Sequence, residues 1–478
     1  MNNTKQTKWN QFIPLASVFF FWGFVAASND ILIPVFQKAF NLLPWQSQLV
    51  SFAFYVAYTI GSIIYIVVSI FSGKDVIERL GYKNSLALGL AVSAIGTILF
   101  YPAAEQGSFV ILLSGLFIVG LGFSLQQTVA NPLAIALGPT STGSQRLTLA
   151  GGINNFGTTI GPLAISYAIF GKVSSASSGI DINTVKLPYL ILGVAFLTIA
   201  VLLKFSSLPT HPDVSAVEVN DKYPGDKKTA LHYPQLIMGM VAVFLYVGVE
   251  VSTASNLPSY LIEKLNFDES AVSPYISLYW ASMMIGRWGG AVGAFTTNAV
   301  LQYIFKIVAP YLAFGIFLAA NALMGYDIAP FYVYAYIIVV LIVADFISKG
   351  NPAVMLGIFS ILGIIVTIIG MVSNGMISVY AYTSVGLFCS TLWPCIFTLA
   401  VAGLGKRTTQ GSTLLIMMIM GGGIISLLQG YVAGIVGIQL SYIMGVLCFA
   451  YLVIYAFVVK KILKDQGIIY NKVKSGGH

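Results

Sequence analysis

The sequence predicts an all-α polytopic membrane protein, and three observations support this prediction. Of its 478 residues, 57% are hydrophobic and only 8% are charged, whereas about a quarter of the residues of a soluble domain are charged. The apolar residues form long continuous segments, each long enough to cross a hydrocarbon core as a helix. The sequence does not show the strands of about ten residues with alternating polarity that build a transmembrane barrel. The spanning elements are therefore expected to be helices.

We predict fourteen spans, each bounded by glycine, proline or charged residues. They are expected at 12–36, 45–72, 84–104, 108–137, 147–172, 187–207, 234–262, 271–295, 300–324, 330–348, 352–372, 375–403, 410–436 and 438–462. The first segment is too long for the core of a signal peptide and has no small-residue cleavage site, so we expect it to be retained.

Basic residues predict the orientation of the spans, because cytoplasmic loops carry an excess of lysine and arginine. If the N-terminus is cytoplasmic, all but four of the 24 lysine and arginine residues fall on the inner side. The exceptions are Lys38, Lys172, Lys186 and Lys264. We therefore expect both termini in the cytoplasm. This topology also explains the formal net charge of +8, which gives no indication of nucleic-acid binding.

A polar segment at 209–232 interrupts the succession of spans after the sixth. It is rich in charged residues, proline and glycine and has no apolar periodicity. Six spans, a polar linker and a second bundle are the plan of a secondary transporter with two halves. We predict four parts: a six-helix bundle at 1–208, a cytoplasmic linker at 209–233, a second bundle at 234–463 and a cytoplasmic tail at 464–478.

The remaining composition disfavours other kinds of site. Cys389, Cys395 and Cys448 all lie in apolar stretches, so a disulfide framework is not expected. The three histidines, His211, His232 and His478, lie in the polar linker or at the last position, outside the predicted spans. We therefore expect no metal site, no cofactor and no enzymatic activity.

Asp30 is the most unusual residue of the first span. It lies in segment 14–36, which would be roughly 33 Å long as a helix at about 1.5 Å per residue, and no other charge occurs between Lys8 and Lys38. A carboxylate there costs about 2.5 kcal/mol or more on insertion scales, so it is expected to face a cavity, a partner or a pathway. Two interpretations stay open: a hydrogen-bonded or protonated Asp30 that joins helices, or a role in transport.

Several short segments resemble those of a known family of transporters. They are FFWGF at 20–24, NDILIP at 29–34, QTVANP at 127–132, NNFG at 154–157, YVGVE at 246–250 and PCIF at 394–397. In these segments the chain resembles the fucose/galactose/glucose:proton symporter family of the major facilitator superfamily. The resemblance implies a major facilitator fold of two six-helix bundles that imports sugar by alternating access. It also implies a bacterial inner membrane. We expect the protein to function as a monomer.

The chain departs from the family pattern in two places. Position 127 is Gln, as in the glucose/galactose branch, where the fucose permeases carry Glu, so a proton relay through that position is not expected. The family has twelve spans, whereas we predict fourteen. The surplus pair is expected to be an inserted helical hairpin at 297–350 that packs against the second half and preserves the sidedness of all later spans.

Candidate substrate-binding residues follow from the chemistry of a sugar. Amides and carboxylates bind its hydroxyls, and aromatic rings cover its apolar side. Gln127 and Asn131 share one face of a helix because they are four residues apart, and Asn154 and Thr158 are spaced in the same way, so we expect one polar cluster. For each aromatic residue, helix packing is an equally good interpretation. The predicted substrate-binding residues are Trp22, Asn29, Gln127, Asn131, Asn154, Asn155, Glu250, Asn256, Trp280 and Trp393.

Two further roles are predicted. Asp30 and Glu250 are the candidates for proton coupling, because burial disfavours the charged form of a carboxylate and so allows proton binding near neutral pH. Arg79 and Arg287 are the candidates for gating through charge contacts on the inner side. Simple anchoring of basic residues on the cytoplasmic side explains both arginines equally well.

The predicted function is proton-coupled import of a monosaccharide, a hexose by resemblance. A facilitative uniporter and a sodium-coupled transporter are the main alternatives, and a metabolite exporter is a weaker one. A membrane-embedded enzyme and a non-transporting sensor have less support from the sequence. We expect the sugar, protons and membrane lipid as partners, and no nucleic acid.

Overall fold

The computed structural model describes residues 7–72, 76–138, 143–170, 182–211, 229–292, 298–404 and 407–468. The regular structure in these ranges is helical, as the sequence predicts. The first half contains α1 (Trp9–Ala39), α2 (Pro44–Ser47), α3 (Leu49–Ser72), α4 (Val76–Leu80), α5 (Tyr82–Ile98), α6 (Phe100–Glu105), α7 (Phe109–Ala136), α8 (Gly143–Phe170) and α9 (Lys186–Phe205).

The second half contains α10 (Pro234–Leu265), α11 (Ser273–Gly290), α12 (Ala299–Leu323), α13 (Tyr334–Ser348), α14 (Pro352–Val372), α15 (Met376–Cys389), α16 (Leu392–Val401), α17 (Thr408–Met417), α18 (Gly421–Val436), α19 (Ile438–Ser441) and α20 (Ile443–Asp465). Short 3-10 turns lie at Ile182–Val185, Ala230–His232, Glu269–Ala271, Ala329–Phe331 and Met418–Met420.

Eleven helical segments of the described residues are long and apolar enough to cross a membrane, some of them made of two consecutive helices. Helix α3 adds a shorter apolar stretch, Leu49–Tyr65. Helices α8 and α11 are long as well but contain more glycine, serine and asparagine. With these three, the predicted fourteen long segments are present. We call the membrane face at which α1 begins the near face and the opposite one the far face.

The two halves repeat one packing pattern. In the first half α1 packs against α8, and α5 packs against both α7 and α9. In the second half α10 packs against α18, and α14 packs against both α15 and α20. Helices α12 and α13 have no equivalent in this pattern among the described residues; they lie against α11 and α14. This arrangement confirms two six-helix bundles with an inserted hairpin, while the exact domain bounds stay a prediction.

Two helix pairs make the most extensive contacts between the halves. Helix α8 packs against α11, which we call the first seam, and α3 packs against α18, which we call the second seam. In both pairs one helix comes from each half. Side chains at these seams are therefore the ones that any relative movement of the halves must rearrange.

The inserted hairpin touches both halves. Tyr326, in the turn after α12, accepts a hydrogen bond of 2.8 Å from Ser273 at the start of α11, and its hydroxyl lies 3.3 Å from that of Ser166 on α8. At the near face, Lys306 and Asp345 close the base of the hairpin with a 2.9 Å ion pair. The hairpin thus lies against α11 and α14 of the second half, and its turn also reaches across the first seam to α8.

Three consecutive glycines begin α18 at the second seam. A Cβ added at Gly421 would overlap the carbonyl oxygen of Phe244 on α10, and one added at Gly422 would lie 3.2 Å from the ring of Tyr55 on α3. One added at Gly423 would lie 2.8 Å from a backbone atom of α3. Small residues at helix contacts allow backbones to approach closely, and here they let α18 pack against two helices at one level.

Gly421→Ala is expected to destabilise the protein by about 1–3 kcal/mol, because an added methyl group forces the packed backbones of α10 and α18 apart. Gly434→Ala in the same helix is the matched control, since a Cβ there meets none of the described atoms within 4 Å and alanine is the better helix former. The measurement is the thermal unfolding midpoint of the purified protein in detergent. Equal midpoints for the two variants would contradict the close packing at Gly421.

Candidate functional site

Asp30 lies between the two halves. The residue, on α1, is only 4% exposed, and its Oδ2 accepts a 2.9 Å hydrogen bond from the indole Nε1 of Trp280 on α11. Pro34 follows one turn later. Because proline has no backbone N–H, the backbone carbonyl of Asp30 lacks the hydrogen bond that it would accept in an uninterrupted helix. The predicted aspartate is thus paired with one of the predicted tryptophans, and the pair joins the first half to the second.

Two predicted neighbours of Asp30 point into the core of the first half instead. The indole of Trp22 donates a 2.8 Å hydrogen bond to the amide oxygen of Gln126, and the amide oxygen of Asn29 accepts one of 3.1 Å from Tyr189. At 100° per residue, Trp22 is rotated about 80° from Asp30 and Asn29 about 100°. The structure therefore does not bring Trp22 or Asn29 together with the Asp30–Trp280 pair.

Gln127 contacts Tyr58, a tyrosine that was not among the predicted site residues. Its amide Nε2 donates a 3.1 Å hydrogen bond to the hydroxyl of Tyr58 on α3. The ring of Tyr58 lies 6.1 Å from that of Tyr55, nearly parallel to it with 18° between the planes. Two tyrosines three residues apart in an apolar helix were the available signal, since residues at that spacing share a helix face. Asn131, one turn beyond Gln127, is partly buried.

The amides of α8 serve the packing of α8 against α1. The side chain of Asn154 donates a 2.9 Å hydrogen bond to the backbone carbonyl of Phe19, and Asn155 donates to Thr158 on its own helix at 3.3 Å. The amide oxygen of Asn155 is buried and has no hydrogen-bond partner among the described residues. Asn154 and Thr158 therefore do not form the predicted cluster with Gln127, because these groups bond within α8 and to α1.

Glu250 belongs to a second charged group, on α10. Its carboxylate accepts a hydrogen bond from the hydroxyl of Tyr246 one turn earlier, and it lies within electrostatic range of the guanidinium of Arg287 on α11 without a direct ion pair. Arg287 Nη2 also lies 3.5 Å from the Tyr246 hydroxyl. The ring of Trp393 packs against that of Tyr246, with 6.3 Å between the ring centroids. Trp393 is thus part of the Glu250 group, whereas Asn256 bonds the carbonyl of Ser252 on its own helix at 2.8 Å.

Arg287 also connects the halves toward the near face. Its Nη1 lies 3.5 Å from the carbonyl oxygen of Gly151 on α8, and its Nε donates a 3.2 Å hydrogen bond to the carbonyl oxygen of Ser390. That second carbonyl is left without a helical donor because Pro394, four residues later, has no N–H. The neighbouring Trp288 donates to the Gly152 carbonyl at 3.3 Å. Arg287 and Trp288 thus hold the first seam together.

Arg79, the other predicted gating residue, is placed differently. It is exposed on the short near-face helix α4, and among the described residues it takes part in neither an ion pair nor a contact with Arg287. The structure thus brings together Asp30 with Trp280, and Glu250 with Arg287 and Trp393. Within the described ranges, groups of three His, Cys, Asp or Glu side chains that could hold a metal ion are not found.

The chain is similar in sequence and in architecture to known proteins. A sequence model described as Major Facilitator Superfamily matches residues 15–344. A glucose/galactose transporter of Brucella abortus is 32% identical over 94% of this chain and 93% of its own length. An L-fucose-proton symporter of Escherichia coli is 28% identical over 93% of this chain and 92% of its own. The crystal structure of FucP in the outward conformation matches with a TM-score of 0.62 and 26% identity, covering 94% of this chain and 98% of that one.

Proposed function

Because the chain belongs to the Major Facilitator Superfamily, we propose that it imports monosaccharides, hexoses in particular, together with protons. The observation that carries the proposal is the hydrogen bond between Asp30 and Trp280, which joins the halves through a group that can bind a proton. The names of the relatives supply the substrate class, since they are a glucose/galactose transporter and an L-fucose-proton symporter. Two halves that rock around a site between them fit such transport.

Asp30 is assigned as the proton acceptor. A charged carboxylate accepts a stronger hydrogen bond than a neutral one, so proton binding weakens its bond to Trp280 and loosens one link between the halves. Sugar and proton are then coupled if each binds better when the other is bound. The sequence also left open that Asp30 joins helices. In this mechanism it does both, because its hydrogen bond to Trp280 joins the halves and responds to the proton.

Glu250 is assigned to sugar binding first and to proton coupling second. Its partner Arg287 is a cation, whereas the partner of Asp30 is a neutral indole. Protonation of Glu250 would leave a partly buried guanidinium without its counter-charge, which is costly. Protonation of Asp30 leaves no such unpaired charge, so the proton that moves in each cycle is better carried by Asp30.

The topology completes the proposal. We assign the near face to the cytoplasm, because the lysine and arginine residues are concentrated on that side of the predicted spans. The moving units are the bundles predicted at 1–208 and 234–463, joined by the linker at 209–233. The protein works as a monomer surrounded by lipid in a bacterial inner membrane.

Uptake by proteoliposomes tests the proposed function. Labelled D-glucose, D-galactose and L-fucose are offered to vesicles with an inward proton gradient, with a protonophore added in a parallel sample and with sodium replaced by potassium in another. We expect accumulation of at least one sugar that the protonophore abolishes and that sodium removal leaves unchanged. Uptake that ignores the proton gradient indicates a uniporter, loss on sodium removal indicates sodium coupling, and either result overturns proton symport.

A further inference from the structure

The tyrosine pair on α3, Tyr55 and Tyr58, lies where the first half faces the second. Tyr55 packs over Gly422 of α18, where an added Cβ would be 3.2 Å from its ring. Its side chain is partly accessible although its helix is packed between α7 and α18. Tyr55 therefore lies at a contact between the two halves, which is the region where a substrate of this architecture would bind.

Unused hydrogen-bonding groups surround that position. The hydroxyl of Tyr55 has no hydrogen bond to any described residue, and it lies close enough to Asp30 and Glu250 to interact electrostatically with both. Gln127 donates its amide N–H to the hydroxyl of Tyr58, and its amide oxygen accepts no hydrogen bond from the described residues. One hydroxyl and one amide acceptor are therefore available to bind sugar hydroxyls.

We propose that Tyr55, Tyr58 and Gln127 form the sugar subsite of the first half. This inference rests on the proposed function. The ring of Tyr55 covers the apolar side of the sugar, its hydroxyl and the Gln127 amide oxygen bind sugar hydroxyls, and Tyr58 is a positioning residue that orients Gln127. Tyr55 thereby takes the stacking role predicted for Trp22, whose indole bonds Gln126 inside the first half instead. Tyr55 packs against Gly422 of the second half, so a sugar bound beside it would contact both halves.

Equilibrium binding of labelled D-glucose, D-galactose and L-fucose to the purified protein tests the subsite. Tyr55→Ala is expected to weaken binding of the transported sugar by about tenfold or more, and Tyr55→Phe, which keeps the ring, by about threefold. The matched control is Tyr431→Ala on α18, because Tyr431 is 59% exposed on the outer surface of the bundle, and its binding should equal that of the wild type. Folding of each variant is checked by its thermal unfolding midpoint.

Tyr58 requires a test that separates positioning from packing. Tyr58→Phe removes only the hydroxyl, and its effect on sugar affinity should be strongly reduced when Gln127 is already Ala, since both changes act on one interaction. Additive effects would overturn the positioning role of Tyr58. Tyr55→Ala with wild-type affinity would overturn the subsite, provided that the wild type binds a sugar. Absence of binding by the wild type would instead contradict the proposed function.

Discussion

Asp30→Asn is expected to abolish sugar-driven proton movement while sugar exchange across the membrane continues. Asparagine keeps a side-chain oxygen that can accept the hydrogen bond from the Trp280 indole, which is 2.9 Å from Asp30 Oδ2, but it cannot bind and release a proton. The variant therefore resembles the permanently protonated state. In proteoliposomes, addition of sugar should no longer raise the external pH, whereas counterflow of labelled sugar should stay within about threefold of the wild type, a difference of less than 1 kcal/mol.

Two further variants test which part of the Asp30–Trp280 pair is needed for proton coupling. Trp280→Phe keeps the acid and a ring but removes the N–H donor, so proton movement should persist with a lower ratio of protons to sugar. Asn29→Ala is the matched control, because Asn29 is adjacent to Asp30 but bonds Tyr189 inside the first half. An unchanged ratio of protons to sugar in Asp30→Asn would remove Asp30 from the coupling mechanism.

Arg287→Ala is expected to lower sugar uptake by at least about tenfold and to open the near face. The guanidinium donates to carbonyl groups of both halves and lies next to Glu250. Its removal takes away the positive charge that acts on the partly buried Glu250 carboxylate and leaves the Gly151 and Ser390 carbonyls without their donor. The variant should therefore destabilise the state in which the first seam is closed more than the state in which it is open.

A cysteine at Thr148 reports that opening. Thr148 on α8 faces Gly290 on α11, where an added Cβ would be 3.9 Å from it, and the three native cysteines are buried. In the detergent-solubilised protein, maleimide labelling of Thr148→Cys should be about tenfold faster with Arg287→Ala than without it, as a shift of about 1.4 kcal/mol produces. Arg79→Ala is the control, since Arg79 is exposed. Equal labelling rates in all three backgrounds would contradict a closing role for Arg287.

The helices could be predicted from the sequence because the solvent sets their length and composition. A segment must be long and apolar to cross a membrane, so each span and the inserted pair are visible as continuous runs. Intramembrane charges such as Asp30 and Glu250 stand out for the same reason. The residues that these charges contact cannot be identified from the sequence in the same way. Asp30 and Trp280 are 250 residues apart, and their meeting depends on the rotation and packing of α1 and α11, which no local pattern specifies.

Polar residues that join helices and polar residues that bind substrate look alike in a sequence. Asn154 and Trp22 have residue types suited to sugar binding, yet they bond a backbone carbonyl and a buried amide within the first half. Tyr55 and Tyr58 were not predicted as binding residues, because a tyrosine in an apolar helix is equally compatible with simple packing. The distinction depends on which face of each helix is turned to the other half, and only the packed structure supplies it.

The turn of the inserted hairpin bears on the resting state of the protein. Tyr326 bonds Ser273 and approaches Ser166, which lie on opposite sides of the first seam. A movement that separates α8 from α11 at the far face must break at least one of these contacts, each worth about 0.5–1.5 kcal/mol. The hairpin thus adds a fixed bias to the equilibrium between the two access states, up to roughly tenfold in population. A segment remote from the substrate would in this way determine the lifetime of the state in which the far side is closed.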